Sequence, residues 1–139
     1  LYNDDVRRER YPPPAQAFRE RIAAADAVLI ATPEYNGSYT GVLKNALDWA
    51  SRRPDPPLSG KPAAIMGATT GNFGTAKAQL HLRGVCSSLN MHVVNRPGVL
   101  VMRAQDKFNA EGRLTDETAR HFLRELMIAL AAWVRRLRP

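Results

Sequence analysis

Two short turns carry the residues of this chain best suited to hold a ligand. The first, Pro33-Glu34-Tyr35-Asn36-Gly37-Ser38, ends the apolar run Ala27 to Ala31 and leads into an amphipathic helix. Such junctions are where open α/β sheets hold flat cofactors. Asn36 and Gly37 take left-handed backbone angles at low cost, so this turn can aim consecutive N–H groups at a ligand. Backbone donors of that kind suit a carbonyl-rich ring. Tyr35 adds an aromatic face that can stack on something planar while neighbouring amides hydrogen-bond. Glu34 fits two roles, a structural pairing with a nearby cation or an orienting contact to backbone N–H groups, and the structural one is expected. The second turn, Thr69-Thr70-Gly71-Asn72-Phe73-Gly74, is again small, polar and glycine-bearing. Other chemistries find less support. His81, His92 and His121 lie on different predicted elements with no carboxylate or cysteine at ligand spacing, so no metal site is expected. Ser38 and Ser59 have no histidine partner in their sequence context, and no Gly-x-Gly-x-x-Gly follows a strand.

The elements that must position these turns alternate. Leu1 to Pro14 is polar, ends in three prolines and reads as an irregular surface segment. A short helix over Ala15 to Ala25 places Phe18, Ile22 and Ala25 at helical spacing. The strand Ala27 to Thr32 follows, apolar enough to be buried on both faces as in parallel sheets. Gly41 to Arg52 is the next helix, with Val42, Ala46 and Trp49 on one stripe and Leu43, Leu47 and Ala50 beside it, wide enough to serve both the sheet and a partner. Lys61 to Thr69 is a second strand centred on Ala63 to Met66. A helix from Thr75 to Leu89 turns Ala76, Leu80, Val85 and Leu89 inward and stops at Asn90. His92 to Val94 and Val99 to Met102 are extended, and Asp106 to Arg113 is a polar loop. Thr115 is the expected N-cap of a long terminal helix, with Asp116 and Glu117 in its first turn. Its buried stripe is Phe122, Leu126, Leu130, Trp133 and Leu137, and both tryptophans read as packing or interface residues. This alternation predicts one α/β domain over residues 1–139, a parallel sheet with helices on both faces. Right-handed crossovers then bring the two turns to the same carboxyl edge.

Composition narrows the function classes. With 139 residues and 45% hydrophobic content the chain can bury a real core. No apolar run approaches the ~20 residues of a membrane span, and no basic leader precedes an apolar signal core. A soluble, cytoplasmic protein is expected. The single cysteine, Cys86, excludes an intramolecular disulfide, and its neighbours Val85 and Leu89 point to a buried helix position. A net charge of +7 invites a nucleic-acid reading. Yet Arg120, Arg124, Arg135, Arg136 and Arg138 lie on or beyond the terminal helix, where cations complement its C-terminus. No basic cluster interleaves with exposed aromatics, so no nucleic-acid partner is expected.

Longer motifs carry a resemblance. Thr32-Pro33-Glu34-Tyr35-Asn36-Gly37-Ser38, followed by Gly41-Val42-Leu43-Lys44-Asn45-Ala46-Leu47-Asp48-Trp49, closely resembles the NADPH-dependent FMN reductase family of bacterial quinone, chromate and azo-dye reductases. Leu58-Ser59-Gly60-Lys61-Pro62, Ala68-Thr69-Thr70-Gly71 with Gly74, and His81-Leu82-Arg83 support the match. The resemblance implies a flavodoxin-like, three-layer α/β/α fold with strand order 2-1-3-4-5, FMN at the carboxyl edge, and a homodimer or tetramer. It also implies a ping-pong cycle in which NAD(P)H reduces FMN at N5 and the flavin then serves a quinone-like or other small acceptor. Carried onto this sequence, Pro33, Glu34, Tyr35 and Asn36, with Gly37 and Ser38 behind them, match the loop that holds the isoalloxazine ring. Thr69, Thr70 and Gly71 match the loop beside it. The cofactor carries the redox chemistry in such enzymes, so no side chain is named as acid, base or nucleophile.

Two departures from the family pattern stand out. Family members usually have proline two residues before the Gly41 position or directly before it, and this chain has Thr40 there. Upstream, nothing matches the family's first strand and its Gly-Ser-x-Arg-type phosphate loop, so a first βαβ unit of about 30 or more residues is expected to be missing. That loss would uncover the edge of the strand at Val28 and weaken FMN binding. A non-catalytic flavodoxin-like remnant or interaction module is the alternative function on this reading.

Overall fold

Val28–Ala31 (β1), Pro62–Ala68 (β2), His92–Val93 (β3) and Val99–Val101 (β4) build one sheet in the computed structural model, which describes residues 1–138. Every strand pairing is parallel. Val28 to Ala31 align with Ala63 to Met66, while the other edge of β2 carries β3 along Pro62 and Ala63 and β4 along Met66 to Ala68. β3 and β4 therefore share one strand position, interrupted where Pro97 and Gly98 stand. Parallel neighbours need crossovers. Gly41–Ala50 (α3) supplies one between β1 and β2, and Ala76–Ser88 (α4) the other between β2 and β3. The order matches the 3-4-5 run of the expected topology. Among the described residues β1 has β2 as its only strand partner.

Alternate residues of β2 face opposite cores, as the pleat requires. Ala63 and Ile65 meet Ile22 of the helix Pro13–Ala24 (α2), Leu47 and Ala50 of α3, and Leu82 and Cys86 of α4. Ala64 packs with Val94, Val99 and Val101 against Leu126 and Leu130 of the terminal helix Glu117–Leu137 (α5). Helices thus cover both sheet faces, as expected. Cys86 is fully buried, and that desolvation pushes its thiol up to about 11. Both tryptophans pack: Trp49 sits 4.9 Å from the Tyr2 ring, and Trp133 Nε1 donates to the His92 carbonyl at 2.9 Å, fastening α5 to β3.

Several expectations need correction. Leu1 to Pro14 is not irregular: it holds the helix Asp4–Glu9 (α1) and the start of α2 at Pro13. Asn3 caps α1 by accepting from the N–H groups of Asp5 and Val6, and Asp4 pairs with Arg7 and Arg8 one turn on. No residue of α1 is buried, so there was no apolar period to read. Pro13 occupies the first helical position, where its missing N–H costs nothing. β1 is buried on one face only. Ile30 is covered but Leu29 is 38% exposed, because α5 lies over β2 and β4 rather than β1. On α4 the buried stripe is Ala78, Gln79, Leu82 and Cys86, while Leu80 points outward. α5 is capped by Asp116, which accepts from the Ala119 N–H at 2.8 Å, not by Thr115. Phe122, expected in the buried stripe of α5, is exposed.

Two predictions follow from this packing. Leu82→Ala removes a fully buried side chain and should cost about 2–5 kcal/mol in urea denaturation. The Asp4 carboxyl is held down to about 2 by its hydrogen bond from Arg7 and then from Tyr2. Its folded value lies below the ordinary 3.8, so its contribution is full above that pH and is lost as pH falls toward about 2. Stability curves of Asp4→Asn and the parent should therefore differ near neutrality and converge in acid.

Candidate functional site

Because β1 and β2 run parallel, the loops that follow them open on one edge of the sheet. In the first loop the Tyr35 N–H donates to the Ser38 carbonyl at 2.8 Å and the Ser38 N–H to the Tyr35 carbonyl at 3.0 Å. Asn36 (φ 51°) and Gly37 (φ 74°) between them have the paired positive φ of a type I′ turn. The turn therefore consumes the amides of Tyr35 and Ser38. The N–H groups of Glu34, Asn36 and Gly37 have no partner among the described residues. Tyr35 projects its ring, 64% exposed, beside them. Thr40, in place of the family's proline, caps α3 by accepting from the Leu43 N–H at 3.2 Å.

The second loop is held from a third. The Thr69 N–H donates to the Val101 carbonyl at 2.9 Å, and the Gly71 N–H faces Thr69 Oγ1 at 3.4 Å. The Thr69 and Gly71 carbonyls accept from the N–H groups of Ala104 and Arg103, at 2.9 and 3.1 Å. Arg103 is left-handed (φ 50°) and its guanidinium lies 2.7 Å from Asp106, which closes a short 3₁₀ turn over Ala104–Asp106. Lys107 then pairs with Asp116 at the start of α5 and lowers the pKa of that carboxyl. The Thr70 N–H is free among the described residues. Sequence reasoning missed the bracing role of Arg103 and Ala104, because two backbone bonds between distant loops leave no side-chain signature.

The start of α4 joins the first two loops. Thr75 stands at its N-cap with φ 70° and makes no side-chain cap; its Oγ1 instead accepts from Gln79 Nε2 at 3.0 Å. The vacant donors are taken by Glu34, whose carboxylate accepts from the N–H groups of Lys77 at 3.1 Å and Ala78 at 3.2 Å. The expected pairing of Glu34 with a cation is thus corrected: among the described residues its carboxylate meets backbone N–H groups instead. Carboxylate bonds of this kind are charge-assisted, and they sit at the positive end of the helix dipole. Further along, Ser38 Oγ lies 3.2 Å from His81 Nδ1, so both ends of the Tyr35–Ser38 turn are tied to α4. Gly67 makes the junction possible. A Cβ there would lie 2.2 Å from Thr75 Oγ1 and 2.4 Å from the Thr32 carbonyl oxygen.

Free N–H groups on two facing loops, with an aromatic face at their side, fit the edge of an isoalloxazine ring, whose carbonyls and nitrogens line one side. A parallel sheet between helical layers with such loops at its carboxyl edge defines a flavodoxin-like α/β protein. The flavoenzyme NAD(P)H:(acceptor) oxidoreductase FerB of Paracoccus denitrificans shares that fold with a TM-score of 0.87 and 35% identity, covering 97% of this chain and 74% of its own. The chain belongs to the NADPH-dependent FMN reductase family, whose sequence profile matches residues 1–106. It is 56% identical over 138 residues to an NAD(P)H-dependent FMN reductase of Pseudomonas aeruginosa, covering 99% of this chain and 75% of that protein. A 2-hydroxy-1,4-benzoquinone reductase of a Burkholderia species is 46% identical over 136 residues, covering 97% of this chain and 74% of that relative.

Gly67→Ala tests the junction. It should destabilise the protein by at least about 1–3 kcal/mol, the usual range for forced overpacking, because one of the clashes is with backbone. Gly84→Ala is the control: on α4 with nothing within 4 Å of its added Cβ, it should stabilise by about 0.5–1 kcal/mol. Thermal melts of both variants check the contrast.

Proposed function

We propose that the protein is an FMN-dependent NAD(P)H oxidoreductase that passes electrons to quinone-like or other small acceptors, with residues 1–139 acting as one domain. The observation that carries this reading is the Tyr35–Ser38 turn, with the free N–H groups of Asn36 and Gly37 on the edge shared with Thr69–Gly71. In it Pro33, Glu34, Tyr35, Asn36, Gly37 and Ser38 hold the isoalloxazine ring from one side, and Thr69, Thr70 and Gly71 from the other. Glu34, Asn36, Gly37 and Thr70 contribute backbone N–H groups, and Tyr35 contributes its ring face. FMN held there would supply the redox chemistry, hydride acceptance from NAD(P)H and electron donation to the acceptor. The chain's own groups hold and orient, and none is assigned as acid, base or nucleophile. The names of the Pseudomonas and Burkholderia relatives support the cosubstrate and the quinone acceptor.

Two finer features complete the proposal. The outward-facing Val42 of α3 and Leu80 of α4, 81% and 69% exposed, favour pairing of copies into a homodimer or tetramer. A cytoplasmic site of action suits a chain whose one cysteine is a free, buried thiol.

Gly37→Pro is the direct test of the ring site. Proline removes the N–H and fixes φ near −65°, against the +74° of Gly37. FMN affinity, read by quenching of flavin fluorescence, should fall at least about tenfold, the equivalent of one charge-free hydrogen bond plus turn strain. Unchanged affinity would place the ring elsewhere.

A further inference from the structure

We infer that Glu34 is a positioning residue for the flavin: its carboxylate contacts α4 rather than the ring, and holds the ligand-facing amides of the first loop in their binding geometry. This inference rests on the FMN reading above.

Thr75, a β-branched residue with φ 70°, is strained, and Gly67, Gln79 and Gly74 over-determine it. Gly67 leaves the space for Thr75, Gln79 Nε2 binds its hydroxyl and the Val99 carbonyl at 3.0 and 2.9 Å, and Gly74 (φ 54°) rests against the Leu100 backbone. In this conformation Thr75 cannot act as an N-cap, which requires extended backbone angles. α4 also has no acidic residue in its first turn. The Ala76 N–H donates to the Phe73 carbonyl at 2.9 Å, and the next two donors, those of Lys77 and Ala78, are satisfied by Glu34. The carboxylate belongs to the residue directly before Tyr35, and its own N–H is one of the free donors. Pinning the carboxylate therefore fixes the direction of the amides of Glu34, Asn36 and Gly37 before any ligand arrives. Preorganisation of this kind raises affinity by removing the ordering cost from the binding step.

A merely structural role would be confined to the stability of α4, and the two roles separate experimentally. Glu34→Ala should weaken FMN binding about tenfold by fluorescence titration, the order expected for losing charge-assisted bonds. It should also speed amide exchange at Lys77 and Ala78. Glu34→Gln keeps an acceptor oxygen and should stay within about threefold of the parent. The decisive variant is Glu34→Ala combined with Ala76→Glu. A glutamate at exposed position 76 restores negative charge to the first turn of α4 without tethering the loop, so the melting temperature should recover while FMN affinity stays low. Recovery of affinity in the double variant, or an affinity within twofold of the parent in Glu34→Ala, would overturn the inference. If the unchanged protein binds no FMN, the functional reading itself fails, an outcome distinct from either of these.

Discussion

The amide hydrogens of Lys77 and Ala78 find their acceptor 43 and 44 residues away, in the carboxylate of Glu34. The carboxyl edge of the sheet depends on that contact. On one side it completes a helix whose own N-cap residue is turned away from the task. On the other it anchors a type I′ turn that would otherwise be held only by its two internal bonds and by Ser38 against His81. The packing beneath explains why the arrangement is single-valued: Gly67 lets Thr75 and the end of β1 approach each other to distances that no Cβ would permit. Strain at Thr75, the missing cap and the inserted carboxylate form one chain of cause. It runs from the sequence of β2, through the geometry of α4, to the shape of the Tyr35–Ser38 turn.

A second brace comes from the opposite side. Arg103 and Ala104 donate to the carbonyls of Gly71 and Thr69, so the second loop is held by the strand end that follows β4. Lys107 and Asp116 extend that support to the start of α5. The amides left without partners, those of Glu34, Asn36, Gly37 and Thr70, thus belong to loops fixed from behind. In the proposed site, rigid backbone donors would select for shape and acceptor pattern and leave the redox chemistry to the cofactor. This suits a family whose members include reductases of FMN and of a benzoquinone.

Much of this was legible in the residues, and the failures have physical reasons. The alternating strands and helices, the parallel sheet and the two turns on one edge follow from apolar runs and glycine-bearing breaks. Asn36 and Gly37 announce their positive φ by residue type. Thr75 does not, since threonine ordinarily avoids that region and only tertiary contacts hold it there. The stripe of α4 was misassigned because Gln79 is buried as a hydrogen-bonding residue and Leu80 is exposed, inverting what hydrophobicity suggests. α1 carries no apolar period because it is stabilised by a cap and ion pairs and buries nothing. The pairing of the Tyr35 and Ser38 amides inside their own turn emerges only from the fold. So does the reach of Glu34 to α4, although its orienting role was one of the two that its residue type allowed.

The account stands or falls on whether this edge holds a flavin that works. Anaerobic addition of NADPH to the protein with FMN should bleach the visible flavin absorbance at a rate proportional to protein concentration, and adding benzoquinone should restore it. Persistence of the flavin colour at the rate seen without protein, with FMN shown to be bound, would contradict the proposed oxidoreductase.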